Sequence, residues 1–337
     1  MIKENFLSEL SYRLSELQQL VNKTNKMPVL ILSQYPLDSM MDFRLPNIRE
    51  SISNIICFIE IGNENLVPDI LEQIQGYIDR IILDIDNKRI NSRKIIDAVL
   101  QYQQKIPILC YSDFDIWGNT AVDFIAYNEC GLFDKKVLVC GNSPLSSRII
   151  TKLLRYGAQV FLNDEDYIDG VCVCDNNLSI SIQSKNIHKI SENSNIYDVI
   201  LGISIFNNTS IGNVYAKSIY DVGLNNFTQE FITTLRDKGA SIYRYDNRAG
   251  LSSVLLNLLE TEYLIKYNMG EVKIGNIDVI SGGIMGDDGA IVVDNAYNPQ
   301  FIVGVANGTG MIKSANLLSE QNIEDMNIIK RLISYGK

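Results

Sequence analysis

The chain has 337 residues, 46% of them hydrophobic and 21% charged, and a formal net charge of −10. That length suits about two domains of ~150 residues, the apolar content excludes a disordered chain, and the acidic balance argues against nucleic acid or an anionic membrane as partner, since both call for clustered cations. No apolar run reaches the ~18–20 residues of a membrane span.

The chain opens on MIKENFLSELSYRLSELQQLVNKTNK. Leu7, Leu10, Leu14, Leu17 and Val21 recur at helical spacing, so a helix is predicted, read either as packing on its own domain or as a partner or homodimer contact. It lacks the apolar core and small-residue cleavage site of a signal peptide, so the expected compartment is cytoplasmic. Strands are then predicted at 28–33, 55–61, 80–85, 106–112, 136–141, 158–163, 170–174, 198–204, 218–223 and 240–246. Helix-period segments fall at 66–76, 91–104, 117–131, 145–156 and 226–238. Near-continuous β-branched strands alternating with amphipathic helices predict parallel βαβ units. A helical stretch follows from Leu251 to Met269, then a glycine-punctuated run, VISGGIMGDDGAIVVDNAYNPQFIVGVANGTGMI, predicting an antiparallel hairpin or small sheet, and a last helix at 318–334. The expected architecture is α/β and two-lobed: an N-terminal α/β substrate lobe (1–131), a Rossmann-type doubly wound parallel sheet (132–250), and a β-rich extension (251–337).

Six cysteines include no C-x-x-C pair, and the single histidine is His188. Cys57, Cys110, Cys140, Cys172 and Cys174 fall in apolar strand-like runs, where a thiol behaves as a small hydrophobe. The cysteines are therefore expected to be buried and reduced, His188 to be exposed in a polar stretch, and no metal site is predicted.

The segment KKVLVCGNSPLSSRIITKLLRYGAQVFLNDED has the layout of a dinucleotide site. A strand ends at Gly141, a short loop of Asn142, Ser143 and Pro144 leads through Leu145 into an amphipathic helix, and the next strand ends at Asn163 and Asp164. Such a loop turns backbone N–H groups and a helix N-terminus toward a pyrophosphate, and the acid ~20 residues on grips a ribose. The G-x-G-x-x-G pattern is reduced to Gly141-x-Ser143-x-x-Ser146. Asp164 favours NAD over NADP, because it would repel a 2′-phosphate. Ile203 and Ser204 after one later strand, and Gly223 after another, fall at strand ends suited to a flat nicotinamide.

The run from Asp113 to Ala158 resembles the stretch of shikimate dehydrogenases that joins substrate lobe to NAD(P) lobe. Asp115-Ile116-Trp117-Gly118 fits the D-x-x-G part of their N-T-D-x-x-G motif, and Asp113-Phe114 replaces the Asn-Thr. Methylenetetrahydrofolate dehydrogenases are similar too: their G-R-S loop and D-V-G-I-N strand correspond to GNS and YDVGLN here. The resemblance covers about residues 80–265 and implies an amino-acid-dehydrogenase-like N-terminal lobe with a Rossmann lobe. The shikimate family's S-x-S-P motif is replaced by Ser33-Gln34-Tyr35-Pro36, so shikimate is not the expected substrate.

Chemistry is expected where strands of the first lobe end: Asp84, Asp86 and Lys88 after one strand, Asp113 and Asp115 after the next. In the shikimate family a Lys–Asp pair handles the transferred proton. The resemblance aligns Asp115 with its aspartate, and Lys88 is taken as the partner. Asp115 could equally cap the helix at 117–131. Asp86, Tyr111 and Arg248 are candidate substrate contacts, the last through a bidentate grip on a carboxylate. The expected function is an NAD-dependent oxidoreductase acting on a small polar, carboxylate- or amine-bearing metabolite. The alternatives are a Rossmann enzyme that uses tightly bound NAD or a nucleotide-like substrate without net redox, and a non-catalytic nucleotide-binding protein.

Overall fold

The computed structural model describes residues 2–34, 42–86, 88, 91–102, 105–141, 145–162, 167–168, 171–174, 180–190, 196–203, 214–222, 226–245 and 248–335. They form two compact units, Met1–Val254 and Leu255–Lys337.

The first unit contains two large sheets, one mostly and one wholly parallel. Helix α1 (Ile2–Thr24) leads into β1 (Met27–Gln34), followed by the short β2 (Phe43–Arg44) and β3 (Arg49–Glu50), and by β4 (Asn54–Ile61). Then come α2 (Val67–Gln73), β5 (Arg80–Asp84), α3 (Ser92–Leu100), β6 (Ile108–Tyr111) and α4 (Asp113–Asn128). The sheet order is β2-β4-β1-β5-β6, with β3 also on β4. β1 pairs in parallel with β4 and β5, and β5 with β6, while β2 and β3 are antiparallel to β4. The parallel strands thus run second-first-third-fourth, and the order reverses between β1 and β5. The predicted N-terminal helix packs on its own lobe: Phe6, Leu10, Leu14 and Leu17 are buried in the same core as Leu30, Ile59 and Ile81. Full burial of one such side chain contributes ~1.5–3 kcal/mol. The helix stops at Asn25, whose φ of 54° is the left-handed conformation that asparagine tolerates.

The second sheet follows. It is built from β7 (Lys136–Cys140), α5 (Ser146–Arg155), β8 (Gln159–Leu162), a small sheet of β9 (Tyr167–Ile168), β10 (Val171–Cys174) and β11 (Ile180–Gln183), then β12 (Ile187–Lys189), β13 (Ile196–Gly202), β14 (Tyr215–Asp221), α6 (Gln229–Asp237) and β15 (Ser241–Arg244). The large sheet is all parallel, in the order β12-β8-β7-β13-β14-β15. Counted along the chain this is 3-2-1-4-5-6, the order of doubly wound dinucleotide-binding sheets, with its switch point between β7 and β13.

Three expectations are corrected here. The strand at 170–174 is not part of the parallel sheet: β10 pairs antiparallel with β9 and β11. His188 lies on the sheet strand β12, half-buried with its ring 5.0 Å from that of Phe161. Cys57 and Cys140 are buried, but Cys110 and Cys130 are exposed.

The last helix of the first unit, α7 (Arg248–Tyr263), runs on into the second, where it ends in a π-helical turn at Leu264–Asn268. The predicted small sheet comprises β16 (Glu271–Ile274), β17 (Ile277–Ser281), β18 (Ile291–Val293) and β19 (Ile302–Val305), in that spatial order. It is not wholly antiparallel, since β17 and β18 are parallel. Helix α8 (Glu320–Tyr335) contributes Ile329 to the core formed with Val279, Ile291, Val293 and Val305. Among the described residues no helix is long and apolar enough to cross a membrane.

Candidate functional site

The carboxyl ends of β1, β5 and β6 converge on one charged cluster at the switch point of the first sheet, where ligands of open α/β sheets bind. β5 ends at Asp84, whose side chain is 0% exposed. Its Oδ2 accepts from Ser33 Oγ on β1 at 2.7 Å and from Lys88 Nζ at 2.6 Å, while Oδ1 accepts from the backbone N–H of Asp86 at 3.1 Å. Lys88 Nζ also donates to Asp113 Oδ2 at 2.7 Å and to Ser33 Oγ at 3.3 Å, and lies 5.5 Å from the centroid of the Phe114 ring. The side chains of Lys88 and Asp113 are 9% and 23% exposed. Tyr111, the last residue of β6, is buried and hydrogen-bonded through its hydroxyl to Ser33.

The start of α4 fixes this arrangement. Ser112 is its N-cap, with Oγ accepting from the Asp115 backbone N–H at 3.1 Å. Asp86 reaches across from the β5 exit: it accepts from Ser112 Oγ at 2.7 Å and from the Phe114 backbone N–H at 2.6 Å. Two orphan donors of the first helical turn are thereby satisfied, one by each acid or hydroxyl.

The electrostatics follow from burial and from the company each charge keeps. Burial pushes the Asp113 carboxyl above the usual carboxylate range; Lys88 opposes the rise, and so does the Trp117 indole. Burial works to lower the Lys88 ammonium, but Asp113 and Asp84 outweigh it and the net direction is up. Lys88 therefore stays protonated. Burial raises Asp86, and it raises Glu60 on β4, with Arg44 and Lys88 opposing. Tyr111 is held well above its ordinary value by burial and by the three nearby aspartates, so it is a phenol rather than a phenolate.

At the second sheet, Gly141 follows β7 with a φ of 88°, a left-handed turn open to glycine. Leu145 at the N-cap of α5 supplies no side-chain oxygen. Ile203, buried, donates its backbone N–H to Cys140 O at 3.0 Å. Gly202 ends β13, and a Cβ there would come within 2.6 Å of the Phe227 ring and 2.9 Å of Asn226 Cβ. The room it leaves is thus taken by those two side chains. Helices α4 and α5 pack together: Asp115, 55% exposed, pairs with Arg148, and Gly118 lies where a Cβ would be 2.7 Å from Arg148 Cβ. An open groove of about 360 Å³ runs here, lined by Asp115, Asn119, Ser147, Arg148, Thr151 and Lys152 among others.

Lys88, Asp86 and Tyr111 from the sequence reading therefore meet in one cluster, together with Asp84 and Asp113. The expected pairing of Lys88 with Asp115 is corrected. Lys88 bonds Asp113 and Asp84, and Asp115 bonds Arg148. Asp113 and Asp115 are two residues apart on a helix and point about 200° apart at ~3.6 residues per turn. The Asp86 carboxylate accepts from Ser112 Oγ and the Phe114 backbone N–H at the start of α4. Ser33 and Glu60 were not singled out as site residues; the i,i+4 step from Asp84 to Lys88 was the available signal. Asn142, Ser143, Pro144, Asn163, Asp164, Ser204 and Gly223 lie outside the described residues, as does the side chain of Arg248. Among the described residues no group of histidines, cysteines and acids could hold a metal ion.

No protein-family model matches the sequence. No curated protein matches it either. Among solved structures, the chain is similar to an L-tryptophan dehydrogenase from Nostoc punctiforme, at 16% identity over 72% of this chain and 76% of that one, with a TM-score of 0.39. It is similar to the FolD methylenetetrahydrofolate dehydrogenase/cyclohydrolase from Campylobacter jejuni, at 12% identity over 77% and 98%, with a TM-score of 0.35. A shikimate dehydrogenase from Peptoclostridium difficile matches at 12% identity over 71% and 100%, with a TM-score of 0.33.

Proposed function

We propose that the chain is a dehydrogenase that uses a nicotinamide dinucleotide and acts on a small polar metabolite held at the Lys88–Asp113 cluster. The observation that carries this reading is the strand order of the second sheet, 3-2-1-4-5-6 along the chain, with a glycine of positive φ where β7 ends. The Asp115–Arg148 pair supports it further, by tying the start of α4, which bears Asp113, to the first turn of α5.

In this reading the loop of Gly141, Asn142, Ser143, Pro144 and Leu145 takes the pyrophosphate, and Asn163 and Asp164 take the adenosine ribose. Ile203, Ser204 and Gly223 flank the nicotinamide. The left-handed turn at Gly141 fits such a loop, since it lets the chain reverse into the helix at no steric cost. The bound cofactor supplies hydride acceptance and donation. The chain's own residues orient the substrate and handle the proton. Asp113, raised by burial yet held beside an ammonium, is the group that accepts or returns the proton, and Lys88 fixes the position and charge of that carboxylate.

Calorimetric titration of the full chain tests the proposal. NAD is expected to bind more tightly than NADP, and Asp164→Ala to weaken NAD and relax the discrimination. Absence of binding by either dinucleotide at millimolar concentration overturns it.

A further inference from the structure

Most of the large hydrophobic side chains that the described residues leave exposed belong to the second unit, although it is the smaller of the two. Helix α7 enters this unit at Leu255, which is 0% exposed, and Leu258 and Glu262 on the same side are half-buried. At ~100° per residue, Leu256, Leu259, Tyr263 and Tyr267 share a different side, in a stripe about 80° wide. Leu256, Tyr263 and Tyr267 are 51%, 56% and 50% exposed, and the two tyrosine rings lie 5.1 Å apart. A surface helix turns such a stripe toward a core, whereas this one turns it outward. The loop between β18 and β19 extends the stripe. The Asn268 carbonyl accepts from the Ala296 backbone N–H at 3.2 Å, and Asn268 Oδ1 accepts from Asn295 Nδ2 at 3.3 Å, which pins the loop to the helix end. Gly270 makes room for the Tyr297 ring, since a Cβ there would lie 2.7 Å from Tyr297 Cζ. Asp294 closes the loop by accepting from the backbone N–H groups of Gln300 at 2.9 Å and Phe301 at 3.2 Å. Tyr297 and Phe301 therefore stand out from a fixed frame, 62% and 59% exposed.

We propose that a second copy of the chain docks on this surface, helix against helix, antiparallel about a two-fold axis at Tyr263. The stripe is complementary to itself under that operation. The axis sets Leu259 against Tyr267 of the second copy, and Leu256 against the Tyr297 ring that lies over Gly270 there. Glu260 and Lys266, both exposed beside the stripe, come opposite one another across the axis. A parallel pair would instead set Glu260 against Glu260 and Lys266 against Lys266, which like-charge repulsion disfavours. The chain carries a net charge of −10, so copies repel in general, and the surface where they meet is one whose own charges balance. The area also suffices. With ~200 Å² for a whole aromatic side chain and ~100 Å² for a leucine, the exposed parts of Tyr263, Tyr267, Tyr297, Phe301, Leu256 and Leu264 amount to roughly 550 Å². A standard interface takes about 800 Å² from each partner, ~65% of it apolar in homodimers, or roughly 500 Å². The pairing is independent of the dehydrogenase reading.

Sedimentation velocity of the full-length protein at micromolar concentration tests it. The expected species is a dimer of the 38.0 kDa chain. Tyr263→Glu places two carboxylates face to face on the axis and is expected to raise the dimer Kd at least a hundredfold. Glu260→Lys and Lys266→Glu, each of which puts like charges together, are expected to raise it at least tenfold, and the double exchange Glu260→Lys/Lys266→Glu to restore the wild-type value. Far-UV circular dichroism checks that each variant is folded, and the charge series decides the question if Tyr263→Glu is not. A wild-type chain that stays monomeric at high micromolar concentration overturns the proposal and gives the surface to another occupant, the first unit of the same chain or an unrelated protein. A dimer that survives Tyr263→Glu, or that the double exchange does not restore, overturns it as well.

Discussion

Replacing Lys88 by methionine keeps an unbranched side chain of similar length and removes the charge. The loss leaves Asp84, fully buried, with Ser33 and the Asp86 backbone N–H as its side-chain donors among the described residues, and brings it face to face with Asp113 without the cation that both share. Breaking a buried ion pair by deleting one partner costs roughly 3–5 kcal/mol. That is a large part of the ~5–15 kcal/mol by which domains are stable. At roughly 2–4 °C per kcal/mol for a domain of this size, Tm should fall on the order of 10 °C. The pH dependence has a definite sign. Burial already raises Asp113, and without Lys88 it rises further. A carboxyl raised in the folded state favours folding below its unfolded pKa, and that contribution is lost as pH rises through the folded value. The Lys88→Met deficit should therefore be greatest at neutral pH and shrink toward pH ~4. Adding Asp84→Asn, which removes the stranded charge, should recover most of the loss. Urea unfolding at several pH values measures all three. A Lys88→Met protein within about 0.5 kcal/mol of wild type at neutral pH, below the usual cost of any buried charge deletion, would refute the buried cation between two acids.

Other expectations concern neighbouring residues. Asp115→Asn removes an exposed pair with Arg148, so stability should change by less than about 1 kcal/mol and turnover should persist; loss of turnover with cofactor binding intact would move the proton role from Asp113 to Asp115. Gly118→Ala drives a methyl group to 2.7 Å from Arg148 Cβ, and should cost about 1–3 kcal/mol in urea unfolding; an unchanged midpoint would mean that the α4–α5 seam yields freely. On the acid side, kcat/KM should fall as Asp113 takes up a proton, at a pH above the ordinary aspartate range, and a folded Asp113→Asn protein that retains this limb would assign it elsewhere.

Much of the fold was legible because buried parallel strands announce themselves as β-branched runs. β1, β4, β5, β7 and β13 fall within two residues of their predicted limits. Pairing was not legible in the same way. GVCVC reads like the others, yet it pairs antiparallel outside the main sheet, because an apolar run does not encode its neighbours. β12 was missed, since three residues around a histidine carry too little periodicity. The start of α4 was placed at 117, although Ser112 followed by acids is a helix-start signature; Asp113 and Asp115 consequently seemed to share a loop. The lysine partner expected from the resemblance, Asp115, is displaced by Asp113 for the same reason. In a loop the two acids are interchangeable, whereas on a helix they face different neighbours. The cluster itself was half-legible: Lys88, Asp86 and Tyr111 stand at strand ends, but only the β1–β5 adjacency brings Ser33 into their company.

Helix α4 has obligations at both ends of the first unit's architecture. Its first residue belongs to the charged cluster, and Gly118 lets its flank press against α5. A seam so close leaves little freedom between the two helices. Asp86 fastens the start of α4 from the neighbouring strand's exit, since it holds both Ser112 and Phe114. One carboxylate thereby joins the exit of β5, which leads to Lys88, to the helix start that bears Asp113.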